Sequence, residues 1–209
     1  MKKLIVIVAV LGIIKVNAQT TQETVTYSVK ADNSPAAAMM GDMHMTLYYK
    51  NGKSLFEMSS PMYSMKTLVT DTGTLMLMNT MGQKFYMRQP AAPANTADTA
   101  MPQIQYVDET KDVAGYTCKK AIMKTPWTDS AVFWYCEALP VVGFGKDAAI
   151  MKALKGLPLE YEMNTGGMVL KLVAEKVSTA NIPESTFEIS TDGYAELDDK
   201  TLGGMMGQQ

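Results

Sequence analysis

Histidine occurs once in the 209 residues and cysteine twice. One imidazole, His44, cannot make a zinc site without carboxylates, and the sequence does not place a set of them around it. Two cysteines with no Cys-x-x-Cys spacing exclude a dithiol redox motif. The signatures of common catalytic centres are missing as well: there is no Gly-x-Ser-x-Gly, no His-Glu-x-x-His, no phosphate-binding loop and no dinucleotide fingerprint. Glu160 and Glu162 share one strand face, but on an antiparallel edge such a pair reads as solvent exposure rather than a glycosidase dyad. No basic stripe is present, which excludes nucleic acid as a partner. The expectation is a binding protein rather than an enzyme, with no cofactor.

Long apolar runs are equally scarce. Leu4 to Ile14 is the only one, and it follows Lys2 and Lys3 and precedes Val16-Asn17-Ala18. A charged start, an apolar stretch too short to span a bilayer comfortably and small residues at the cleavage positions together read as a secretory signal over residues 1–18, cut before Gln19. No cysteine near that point could carry a lipid, and no later segment reaches transmembrane length. The mature chain is expected outside the cytoplasm, in the periplasm of a Gram-negative cell. Losing three lysines moves its formal charge from −2 to −5. Its length suits a single domain, residues 19–197, followed by a disordered tail from Asp198.

Short alternating stretches fill that domain. Val25, Tyr27 and Val29 alternate with polar residues, as do Met43, Met45, Leu47 and Tyr49. Asn51-Gly52 is a strong hairpin turn, because both residues accept positive φ. Lys66 to Thr70, Thr74 to Asn79 and Lys84 to Arg88 read as strands, with turns at Asp71-Thr72-Gly73 and Met81-Gly82-Gln83. Gln89 to Pro102 breaks the pattern and reads as a mobile loop. Strands resume at Ile104, a helix is expected over Asp147 to Lys155, and Leu159 to Met163, Met168 to Val177 and Thr186 to Ile189 close the series. About ten strands and one or two helices predict an antiparallel α+β fold, a curved sheet or open barrel.

In an oxidising compartment a disulfide between Cys118 and Cys136 is the default. Tyr116 to Lys124 and Asp129 to Cys136 read as a hairpin centred on Trp127, which sets Cys118 opposite Cys136, Ala121 opposite Phe133 and Ile122 opposite Val132.

The run Val113-Ala114-Gly115-Tyr116-Thr117-Cys118-Lys119-Lys120-Ala121, then Val132-Phe133-Trp134-Tyr135, Gly156-Leu157-Pro158-Leu159-Glu160, Phe187-Glu188-Ile189 and Gly193-Tyr194, resembles a secreted Bacteroidota family of unknown function. That family is grouped with the LolA/LolB-like lipoprotein carriers and is distantly similar to the GLPGLI family. The chain departs from the pattern at Cys136 and in lacking a proline before Gly193. The resemblance implies a half-barrel wrapped around helical cover; in the carriers the concave face holds acyl chains. Fold alone does not transfer that function.

Methionine is the excess. Eleven of the eighteen in the mature chain fall between Met39 and Met87. Flexible, polarisable thioethers suit surfaces that accept varied apolar partners, and equally suit irregular cores. On a half-barrel, Met43, Met45, Met76, Met78, Phe85, Phe133 and Trp134 are the candidate lining for a lipid or lipidated peptide. The rival is copper. Met39, Met40, Met43 and Met45 crowd His44, and soft thioethers with an imidazole select Cu(I). That site needs a loop, because strand alternation sends His44 away from Met43 and Met45. A structural or envelope-interaction role without ligand is the third reading. Thr99 and Ser130, in Asp98-Thr99-Ala100 and Asp129-Ser130-Ala131, resemble Bacteroidota O-glycosylation acceptors.

Overall fold

The computed structural model describes residues 22–31, 41–91, 103–125, 128–142, 151, 153–165 and 168–197. Six strands come first: β1 (Gln22–Ala31), β2 (Met43–Lys50), β3 (Lys53–Ser59), β4 (Tyr63–Thr70), β5 (Gly73–Thr80) and β6 (Gln83–Pro90). The hairpins between β2 and β6 follow from their turns. Asn51 and Gly52 take φ of 50° and 82°, and Met81 and Gly82 take 51° and 87°. Paired positive φ gives the twist that two-residue hairpins need. A second series follows: β7 (Gln103–Val113), β8 (Tyr116–Thr125), β9 (Thr128–Cys136), β10 (Leu157–Thr165), β11 (Met168–Ser178) and the two-residue β12 (Ala195–Glu196).

All twelve strands form one open sheet, in the order β12-β6-β5-β4-β3-β2-β1-β11-β10-β9-β8-β7. β1–β6 and β7–β11 are each a meander, and β1 joins them by pairing antiparallel with both β2 and β11. β7 also touches β11 across the three strands between them, so that half of the sheet curls back on itself. The expected curved antiparallel sheet is therefore present. Covering helices are not seen among the described residues. Of the helix expected over Asp147 to Lys155, residues 147–150 and 152 lie outside them, while Met151 and Leu154 are buried in the core. Gln89 and Pro90 belong to β6 rather than to a loop; residues 92–102 and the tail from Asp198 lie outside the described residues.

One face of the sheet carries the main core. On β1 every second residue, Glu23, Val25, Tyr27 and Val29, is buried. Paired residues of an antiparallel ladder share a face, so the register extends this inner face to Met43, Met45 and Leu47 on β2 and to Leu170, Leu172 and Ala174 on β11. Pro158 sits within β10, where its missing N–H is accommodated by an irregularity between Pro158 and Glu160. Its carbonyl accepts a 2.9 Å bond from the buried Tyr27 hydroxyl.

The outer face of β2–β6 is covered by the chain after β11. Ile182 and Phe187 pack on Leu55, flanked by Tyr48 and Leu68. The Ile182 amide donates to Gln22 Oε1 at 3.1 Å, and Glu184 pairs with Lys50 and Lys53, each at 3.1 Å. The expected strand over Thr186 to Ile189 is instead a 3-10 turn, Glu184–Phe187. Pro183, at φ −58°, sets its start, and Phe187 is spent as an apolar anchor rather than in a ladder. β12 then pairs in parallel with the β6 edge.

The β8–β9 hairpin has the register expected from sequence: Ile122 faces Val132 and Ala121 faces Phe133. The disulfide is not formed; Cys118 and Cys136 are both free and buried. The described ladder begins at Lys119 and Tyr135, one step short of the cysteines. The Cys118 thiol turns along its own strand to the Tyr116 carbonyl, 3.6 Å away. Burial, then the neighbouring Cys136, pushes the Cys118 thiol up to about 11.

Candidate functional site

The hairpin registers of β1–β6 lay methionines in a row. Tyr27 pairs with Met45, Met45 with Met58, Met58 with Met65, Met65 with Met78 and Met78 with Phe85. Beside it runs Leu47, Phe56, Thr67, Met76 and Met87. Both rows lie on the inner face. Exposure is graded along the first: Met45 is 2% and Met58 9% exposed, whereas Met65, Met78 and Phe85 are half-buried; in the second, Met76 is half-buried and Thr67 and Met87 are buried. Flexible thioethers thus fill the core at β2 and β3, and again at Met87 on β6, and reach its margin on β4 and β5.

A third row crosses the other way, from Met43 through Val29, Leu172, Tyr161 and Phe133 to Ala121. Phe133 stacks on Tyr161 with ring centroids 5.8 Å apart, and Tyr27 meets Tyr161 edge-on. The structure therefore brings Met43, Met45, Met76, Met78, Phe85 and Phe133 onto one face. Met43, Met45 and Phe133 are core residues that support this face; Met76, Met78 and Phe85 remain half-buried on it. Met58 and Met65 belong to the same row and were not singled out from sequence. The turns at Asn51-Gly52 and Asp71-Thr72 carry the signal, because counting outward from them pairs these methionines.

Trp134 does not line this face. One residue on from Phe133, it points to the outer side, where the ammonium groups of Lys111 and Lys120 lie 5.6 and 5.7 Å from its ring. Beside it, Glu160 is 8% exposed and binds Lys111 at 2.5 Å and Lys171 at 3.2 Å. Burial alone would raise the Glu160 carboxyl, but hydrogen bonds from the two lysines hold it below its usual value. Glu160 is thus an ion-pair centre rather than a solvent-facing acid, while Glu162 is exposed.

The copper arrangement is also corrected. Residues 43–50 are a strand paired on both sides, so Met43 and Met45 enter the core and His44 is exposed between them. Met39 and Met40 lie outside the described residues. Among the described residues no group of three or more His, Cys, Asp or Glu side chains could hold a metal ion. Ser130 is exposed on β9, and Thr99 lies outside the described residues.

One acidic residue behaves unlike the rest. Glu23 continues the inner-face phase of Val25, Tyr27 and Val29, is 7% exposed, and its Oε2 has no hydrogen-bond partner among the described residues. Burial pushes its carboxyl up to about 7. Its sequence signal was an acid in phase with three core residues. Glu23 heads the next row of the face, followed by Tyr49, Ser54, Val69, Thr74 and Gln89. The β2–β6 hairpins carry two open grooves at opposite ends. One, of about 410 Å³, is lined by Ser60 to Ser64, Asn79, Met81 and Gly82; the other, of about 490 Å³, by residues including Leu68, Leu75, Arg88 and Gln89. No described helix is long and apolar enough to cross a membrane.

No family model matches the chain, and no curated protein does. Solved structures do. PNGF-II aligns at TM-score 0.51 with 14% identity over 90% of this chain, which spans 33% of the PNGF-II chain. An uncharacterised conserved protein from Thermus thermophilus aligns at TM-score 0.51 with 9% identity, covering 86% of this chain and 91% of that one. MucB, in the MucA/MucB complex of Pseudomonas aeruginosa, aligns at TM-score 0.42 with 11% identity over 81% of this chain and 56% of that one. At these identities the likeness to PNGF-II and the Thermus protein shows the fold.

Proposed function

We propose that this chain is an exported, non-enzymatic binding protein of the LolA-like kind, which holds an apolar chain, a lipid or lipidated peptide, against the methionine rows of its inner face. The observation that carries this reading is the graded row Met45, Met58, Met65, Met78 and Phe85, buried at one end and half-buried at the other. Unbranched thioethers on adjacent strands repack at low cost around an alkyl chain, which rigid branched side chains do not. The resemblance of the Gly115 to Ala121 segment to secreted carrier-like proteins, and the leader-like residues 1–18, support the compartment.

The test is binding of the neutral fluorescent probe N-phenylnaphthylamine to the mature protein. Saturable binding is expected, weakened about tenfold by Met65→Gln combined with Met78→Gln. Met81→Gln, on an exposed turn, is expected to leave it unchanged. Absence of saturable binding, or binding indifferent to the inner-face pair, contradicts the reading and favours an interaction role without ligand.

A further inference from the structure

Buried carboxylate oxygens in folded proteins are almost always hydrogen-bonded, because an unmet acceptor loses its water and gains nothing in return. Glu23 Oε2 is an exception among the described residues. The hydroxyl of Tyr27, four residues on and on the same face, is committed to the Pro158 carbonyl at 2.9 Å and does not serve Glu23. No lysine or arginine is paired with Glu23 among the described ion pairs. A side chain that only filled space at this position would be apolar, like Val25 and Val29 in the same phase.

Its place on the sheet gives it a use. The row headed by Glu23 abuts the row of Leu47, Phe56, Thr67, Met76 and Met87, and beyond that lies the row of Met45 to Phe85. Strand rise and strand spacing put Met65 and Met76 about 20 Å from Glu23 across the sheet, the reach of a long alkyl chain. An amphiphile laid from β5 toward β1 would bring its polar end to Glu23. The row itself is the more polar margin, with Tyr49, Ser54, Thr74 and Gln89 after Glu23.

We infer that the Glu23 carboxyl anchors the polar end of the bound amphiphile and selects ligands with a hydrogen-bond-donating amine over those with an anionic head. This rests on the apolar-chain reading above. An ammonium supplies the donor that Oε2 lacks and neutralises a charge that burial disfavours, whereas a fatty-acid carboxylate meets a second acceptor. The burial that holds Glu23 near 7 is consistent with a carboxyl that gains from a cationic partner.

The experiment is displacement of N-phenylnaphthylamine by three ligands of one chain length, hexadecylamine, hexadecanol and palmitate, below their aggregation limits and at pH 8. Wild type is expected to prefer the amine to palmitate by about tenfold, with the alcohol between. In Glu23→Gln, which keeps shape and removes the charge, the preference is expected to collapse while hexadecanol still binds. Glu23→Asp, which keeps the charge, is expected to retain a reduced preference. Equal binding of all three ligands by wild type, or a preference that survives in Glu23→Gln, overturns the anchor and leaves the apolar reading standing. Failure of all three to displace the probe, or of the probe to bind, overturns both.

Discussion

At the residue scale, Glu23 links burial to stability with a definite sign. Its folded carboxyl titrates near 7 against an ordinary 4.5, so between those values the folded chain holds a proton that the unfolded chain has released. Stability from this group is complete below about 4.5 and falls as pH rises to about 7, by about 3 kcal/mol at most, then stays level. Tyr49 faces it from β2; Tyr27, on its own strand, is pushed well up by burial and carries no charge in that window. Urea unfolding of wild type and Glu23→Gln between pH 4 and 8 checks this. The variant is expected to lack the loss and to exceed wild type at pH 8. Glu160 runs the other way: its lysine partners hold it low, so its contribution is present above the ordinary carboxylate range and lost below it.

At the scale of elements, the segment from Ile182 to Leu197 holds the outer face by few contacts. Phe187 and Ile182 seal Leu55, the Leu197 amide donates to the Tyr86 carbonyl at 2.8 Å, and β12 guards the β6 edge. Removing the Phe187 ring leaves a cavity, and Phe187→Ala is expected to cost about 3 kcal/mol in urea unfolding. Glu184→Ala removes an exposed carboxylate from Lys53 and from the largely buried Lys50, which keeps its bond to the Ile182 carbonyl, and is expected to change stability little. Legibility in the sequence varied by element for physical reasons. Asn51-Gly52 and Met81-Gly82 announced hairpins because their backbone needs are local, and the β8–β9 register followed from its turn. The 3-10 turn and β12 were not legible, since both exist through long-range contacts with Leu55, Lys50 and β6. Phe133-Trp134-Tyr135, apolar throughout, gave no clue to which side each ring takes, and the outward turn of Trp134 came only with the ladder to β10.

For the whole molecule, one open sheet carries two unlike halves. On β7–β11 the sheet curls back and Phe133, Tyr161 and Tyr135 fill the inside with aromatics. On β2–β6 the same face is paved with methionine, half-buried on β4 and β5. The methionine excess between Met39 and Met87 was plain in the sequence, but its purpose was not. Only register shows that Met45, Met58, Met65 and Met78 are neighbours, and that His44 stands apart from them. Glu23 was invisible as a site because a lone acid at the start of a strand looks like any exposed charge until its burial is known. The most direct test of the binding reading is native mass spectrometry of the mature protein purified from its own compartment. A co-purified mass of several hundred daltons that fragments as an amphiphile, and is lost in the Met65→Gln/Met78→Gln variant, is the predicted result; a chain that carries nothing and takes up no added hexadecylamine would contradict it.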